Sequence, residues 1–223
     1  MIDLIINYFK NIIFTQATHT ETDEIYTFEC PDDWTLAEAA TIPVAYGTVY
    51  AAFFNTAKIE RGKSILIHAG CSDIGLAAIR VAFAYGLEVF TTVSTTEKKN
   101  FLLQEFPQLK EQYIGNSCDT SFEKLVLKQT KSKGVNYVLN SLTKEKLLAS
   151  IRCLAICGKF LEIGLFDIAN DTKIGMRVFM KEISFHSIML DKLFLNTDEK
   201  MVRFLNFNLF YNLPVSNFFF KAS

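Results

Sequence analysis

The apolar positions of this chain fall into short runs separated by longer stretches in which apolar residues return at helical spacing. Ser64-Ile65-Leu66-Ile67-His68-Ala69 is a compact apolar run, long enough for a strand buried on both faces. Glu88 to Val93, Val135 to Leu139 and Lys159 to Ile163 have the same character, and Tyr113-Ile114 and Glu182 to Ile188 are shorter candidates. Between them, Ile74 to Tyr85, Thr96 to Phe106, Asp119 to Thr130 and Leu142 to Ala155 place apolar residues on one helical face. Pro107 stops the second of these helices, and Gly158 precedes the strand at Lys159. Strands alternating with helices at this pace predict parallel βαβ units, hence an α/β fold with a doubly wound, Rossmann-type parallel sheet. In such a sheet the ligand lies beyond the carboxyl ends of the strands, where the strand order reverses.

Upstream, residues 15–33 are polar and end in Pro31-Asp32-Asp33, which reads as a boundary or loop. Thr35 with Glu38 three residues on forms a capping-box pattern for a helix. Pro43 should interrupt that helix, with a second one running from Val44 to Ala57. After Phe194 the chain is crowded with Phe and Asn and has no clear period. The expected organisation is therefore a divergent segment over 1–30, a nucleotide-binding domain over 31–194, and a Phe-rich tail over 195–223.

Composition narrows the function classes. Half of the 223 residues are hydrophobic, and 23 basic side chains balance 24 acidic ones for a net charge of -1. That balance argues against nucleic-acid binding and gives no reason to expect adsorption to anionic membranes. The apolar N-terminus is too short to span a bilayer and lacks a basic leader, so a cytoplasmic location is expected. The five cysteines are irregularly spaced. Cys153 and Cys157, four apart, would share a helix face, but no further Cys or His completes a zinc set, and no metal is expected.

The candidate chemistry centres on His68-Ala69-Gly70-Cys71-Ser72-Asp73-Ile74-Gly75, between a predicted strand and a predicted helix. A dinucleotide fingerprint asks for glycine at three places: the tight turn, the approach to the pyrophosphate and the helix–strand contact. Gly70 and Gly75 fill the first and third, and Ser72 stands at the second. Asp73 is a favourable helix N-cap, yet its carboxylate would compete with a pyrophosphate for the same N–H groups. Two unit charges 4 Å apart repel by about 1 kcal/mol in water and about 4 kcal/mol at an effective dielectric of 20. A capped helix start without a ligand is the bland alternative. At the end of the second strand, an NAD site usually carries an acid. Here Ser94 stands at the tip and Lys98 follows in the next helix, which favours a 2′-phosphate and hence NADPH, unless Lys98 is an ordinary solvated lysine.

Several strings together resemble the enoyl reductase domain of animal fatty acid synthase. They include Trp34 to Ala40 with Ile42-Pro43-Val44, Ser64 to His68, Val89 to Val93, Asn116 to Glu123, Val138 to Leu142, Phe160 to Gly164 and Phe185 to Asp191. The wider group is the medium-chain dehydrogenase/reductase superfamily, in its zinc-free quinone-reductase-like branch. The resemblance implies NADPH-dependent reduction of trans-2-enoyl thioesters carried by acyl carrier protein, with neighbouring synthase domains as partners; a homodimer is a further expectation. It assigns Lys146 and Asp167 to proton donation, and it places Asn140, Ser141 and Gly164 near the nicotinamide ribose. Both acid–base candidates also have plain readings, as a solvated helix start and a loop cap. The family loop usually reads Gly-Ser-Gly-Gly-Val-Gly, where this chain has Cys71, Ser72, Asp73 and Ile74. The family's substrate domain is not recognisable in residues 1–30, so a fragment with doubtful turnover of its own is expected. A non-catalytic NADPH-binding remnant and a stand-alone quinone-reductase relative are the competing functions.

Overall fold

The computed structural model describes residues 35–190. The N-terminal segment over 1–30 and the tail over 195–223 lie outside the described residues, as does Trp34. Two compact units are present. One contains helix α1 (Leu36–Tyr50) through Ala51, together with Met189 and Leu190; the other is Ala52–Ile188.

The larger unit is built on six parallel strands, β1 (Ser64–Ile67), β2 (Glu88–Val93), β3 (Ile114–Asn116), β4 (Val135–Asn140), β5 (Leu154–Glu162) and β6 (Ser184–Ser187). Their order in the sheet is β3-β2-β1-β4-β5-β6. Helices α2 (Asp73–Ala84), α3 (Thr96–Glu105), α4 (Ser121–Gln129) and α5 (Glu145–Arg152) connect them, and a short α6 (Phe166–Ala169) follows β5. Order reverses between β1 and β4, so their carboxyl ends open the crevice expected of a doubly wound sheet.

The strands form where apolar runs can be covered on both faces. Ile65, Leu66 and Ile67 of β1 are fully buried, as are Phe90, Val138, Phe160 and Leu161 in neighbouring strands. Phe90 stacks on Tyr113 at 4.1 Å and Phe160 on Phe185 at 5.1 Å, so aromatic pairs close the core toward both sheet edges. Arg152 of α5 grips Glu123 of α4 through two parallel 2.7 Å bonds, fixing one helix against the other.

Three local expectations need correction. Pro43 does not end a helix: α1 runs through it, losing only the bond that a proline nitrogen cannot donate. Burial of Ile42, Ala45, Tyr46 and Val49 outweighs that loss, and the chain continues as a π-helical segment, Ala51–Ala57. The helix expected to reach Ala155 stops at Arg152, because β5 begins at Leu154. That strand is broken between its pairings Val135↔Leu154 and Tyr137↔Lys159, where Cys157 adopts φ 57°. Cys153 and Cys157 therefore share no helical face. Cys153 is buried, with its thiol pushed up to about 12 chiefly by burial, and Cys157 is exposed.

Candidate cofactor crevice

The loop after β1 turns on an unexpected residue. Ala69, not Gly70, takes the left-handed conformation, at φ 52°. Gly70 is required by space, since a Cβ there would collide with the Thr91 hydroxyl. Gly75 is also required by space: a Cβ would strike the Ala69 carbonyl and lie 2.9 Å from Gly70 Cα. This is the close contact of helix and loop that the third glycine of a dinucleotide fingerprint permits.

The helix cap is corrected as well. Ser72 is the N-cap of α2, its Oγ accepting the Gly75 N–H at 3.1 Å, and Asp73 is the first helical residue, exposed. The N–H groups of Asp73 and Ile74 find no acceptor among the described residues, as first-turn donors do not within a helix. They face the positive end of the helix dipole, where an anion is favoured. Cys71 reaches across to α3, with its Sγ 3.3 Å from the Lys98 carbonyl oxygen. The structure also brings Ser94 and Lys98 together, Nζ donating to Oγ at 3.4 Å. Both side chains are exposed, and Thr95 between them caps α3.

On the other side of the switch point, Asn140 ends β4 and Ser141 follows it, and Gly164 follows β5. Asn140 is fully buried, and both hydrogens of its amide are committed, one to Leu142 O at 2.7 Å and one to Glu162 Oε2 at 2.6 Å. Lys146 and Asp167 are held differently. Lys146 Nζ donates to the Ser117 carbonyl beyond β3 at 3.2 Å. The Asp167 carboxylate, buried, accepts the Lys144 N–H at 3.2 and 3.0 Å and the Thr172 hydroxyl at 2.7 Å. Lys144 sits at φ 59°, so Asp167 pins the one strained residue at the start of α5.

Two residues that sequence reasoning assigned no role stand out. His68 is buried at the end of β1, between Thr92 Oγ1 at 2.9 Å and Ser150 Oγ at 2.7 Å. Ser150 spends its one hydrogen on the Lys146 carbonyl at 2.7 Å, so it must accept from His68 Nε2–H. His68 Nδ1 then accepts from Thr92. A continuous polar chain thus crosses from β2 to the backbone of Lys146. Burial, helped by the Lys146 charge, lowers the His68 imidazole to about 3, keeping it neutral. Glu162, at 2 % exposure, is the second: burial raises its carboxyl to about 7, the Asp167 charge adds to that, and bonds from Asn140 and Gly164 oppose it. A charged residue ending an apolar strand is the sequence signal that points to it.

Comparison with known proteins supplies the family. Residues 74–206 match the family model described as zinc-binding dehydrogenase, more than half of the chain. The chain belongs to that family. Within the zinc-binding dehydrogenase family it is similar to the crystal structure of CurK enoyl reductase. That structure is 30 % identical, with a TM-score of 0.73, over 84 % of this chain and 54 % of that one. The nucleotide-binding subdomain of the enoylreductase domain of PpsC from Mycobacterium tuberculosis is 28 % identical, with a TM-score of 0.67, over 74 % of this chain and 92 % of that one. Among curated proteins, the highly reducing polyketide synthase ZEA2 of Gibberella zeae is 42 % identical over 180 residues, 81 % of this chain. The matched stretch is 8 % of that synthase's length. The similar synthases are fungal polyketide synthases rather than animal fatty acid synthase, so the resemblance is corrected to the enoyl reductase domain of a reducing synthase.

The family's description implies zinc, but the described residues do not fit it. Among the described residues no three His, Cys, Asp or Glu side chains gather closely enough to hold a metal ion. The residues do suit a dinucleotide: Gly75 lets α2 close onto the loop after β1, and the first-turn N–H groups of α2 can take an anion. Among the described residues no helix is long and apolar enough to cross a membrane.

Proposed function

We propose that this chain is the NADPH-binding part of an enoyl reductase that acts on trans-2-enoyl thioesters attached to acyl carrier protein, within a multidomain reducing synthase of polyketide or fatty-acid type. The observation that carries the reading is the meeting of Lys98 and Ser94 at the end of β2, where an NAD site usually carries an acid. A cation and a hydroxyl there suit the 2′-phosphate of NADPH. When bound, NADPH supplies the hydride for the β-carbon of the enoyl group.

The chain's own residues do the rest. The N–H groups of Asp73 and Ile74, at the mouth of α2, receive the pyrophosphate. Ser141 and Gly164, at the ends of β4 and β5, line the nicotinamide side. Lys146 Nζ holds the proton destined for the α-carbon, and the Ser117 carbonyl fixes where that ammonium stands. Asp167 acts through α5, by holding Lys144 at its start. Cofactor fluorescence titration tests the reading. NADPH should bind more tightly than NADH, and Lys98→Ala should reduce that preference by about five-fold, the worth of one exposed ionic contact of about 1 kcal/mol. Tighter binding of NADH, or an unchanged preference in the variant, would overturn it.

A further inference from the structure

We infer that Glu162 is a positioning residue: its carboxylate clamps the ends of β4 and β5 together beneath the nicotinamide side of the crevice, and this clamp makes cofactor affinity depend on its ionisation. The inference rests on the cofactor reading above and deepens it.

The geometry is that of a strut. Glu162 Oε2 accepts the Asn140 amide at 2.6 Å, and Oε1 accepts the Gly164 N–H at 2.7 Å. Asn140 passes the constraint on, donating its other hydrogen to Leu142 O, while Leu142 N–H returns to Asn140 Oδ1 at 3.3 Å. Asn140 therefore has no amide hydrogen left for a cofactor and serves as a buried tie between strand end and loop. Gly164 fits the same device: a Cβ there would lie 2.8 Å from Glu162 Oε1 and would push the carboxylate out of this arrangement. A carboxylate at the end of a buried strand is costly to desolvate, and an apolar residue would stabilise the sheet more simply. What an apolar residue cannot do is accept two N–H groups from two different strand ends.

Only the ionised carboxyl does this well. It offers an acceptor at both oxygens, whereas the protonated form turns an O–H toward one of two donors. The charged group facing it is Asp167 of α6; β4 brings the uncharged Asn140, and β6 brings its register partner Ser187 with His186 one residue before. Burial, with repulsion from Asp167 adding to it, places the change near pH 7. As pH falls through that range, either Gly164 N–H or the Asn140 amide loses its acceptor. The segments after β4 and β5 then relax, and NADPH is held less tightly.

The test reads the clamp and the cofactor separately. In the 223-residue chain without cofactor, the Gly164 amide resonance should titrate with a midpoint near pH 7, and in Glu162→Gln it should not. The wild-type titration needs no variant, so a poorly folding one leaves the test intact. The NADPH dissociation constant, measured by fluorescence between pH 8 and 6, should rise several-fold more in wild type than in Glu162→Gln. The titration of the 2′-phosphate itself is common to both proteins and drops out of the ratio. A Gly164 amide that stays flat from pH 8.5 to 5.5, or a ratio of dissociation constants constant with pH, would overturn the proposal. A titrating Gly164 amide with no NADPH binding at any pH would support the clamp and overturn the cofactor reading.

Discussion

Replacing His68 with glutamine should change how this protein responds to acid. The buried imidazole titrates at about 3 in the folded chain, against an ordinary value of 6.5 once unfolded. Below pH 6.5 the unfolded chain therefore takes up a proton that the folded chain refuses. The stability tied to neutral His68 is complete above pH 6.5 and is lost as pH falls toward 3. At 1.36 kcal/mol per pH unit, the loss reaches about 2 kcal/mol at pH 5. Glu162 works in the opposite direction. Its folded value, about 7, exceeds the ordinary 4.5, so its cost to the fold is greatest above pH 7 and is relieved as pH falls toward 4.5. By pH 5 the relief is about 2–3 kcal/mol. The two contributions nearly cancel in the wild type between pH 7 and 5, and each variant uncovers the other. Glutamine at 68 keeps one donor and one acceptor for Ser150 and Thr92 but cannot titrate. At pH 7.5 it should cost about 1–3 kcal/mol, through poorer hydrogen bonds and the lost edge contact of the ring with Phe122 at 4.8 Å. Relative to wild type, His68→Gln should then gain stability toward pH 5, and Glu162→Gln should lose it. Urea unfolding followed by circular dichroism at pH 7.5, 6.5, 5.5 and 5.0 measures this. Parallel stability profiles for wild type and His68→Gln would refute the account of a buried neutral imidazole.

Other outcomes follow from the crevice. Asp73→Asn removes the carboxylate from the mouth of α2 while leaving the Ser72 cap, so NADPH should bind up to about ten-fold more tightly, with the gain shrinking in salt. An unchanged dissociation constant at low salt would show that no pyrophosphate approaches that helix end. Asp167→Ala should destabilise the fold by about 1–3 kcal/mol, because the Lys144 N–H and the Thr172 hydroxyl lose their acceptor. Lys146→Ala, removing one part-buried bond to a backbone carbonyl, should cost about 1 kcal/mol or less in the same urea assay. Equal losses would remove the distinction between a residue that holds α5 and one that α5 presents.

Much of this architecture could be read from the chain alone, for a physical reason. A strand buried on both faces must be apolar throughout, and a helix covering it must be apolar on one side; both patterns are local. That is why β2 was expected at Glu88–Val93 and is found there, and why the reversal of strand order followed from the βαβ alternation. The glycine loop was likewise legible, since its position between strand and helix depends on neighbours in sequence. Its internal logic was not. Whether Ser72 or Asp73 caps α2 depends on which side chain meets the Gly75 N–H, and Gly70 answers to Thr91 on another strand. Pro43 was misread because its missing bond is a local cost, whereas the burial that outweighs it is not. In the sequence His68 and Glu162 are single polar residues at the ends of apolar runs. Their meaning depends on partners 82 and 22 residues away, Ser150 and Asn140, brought close by the sheet. Local pattern decides which segments become strands and helices, because backbone geometry repeats over a few residues. The charge state of a buried group and the aim of a carboxylate are decided only when distant segments exclude water around it.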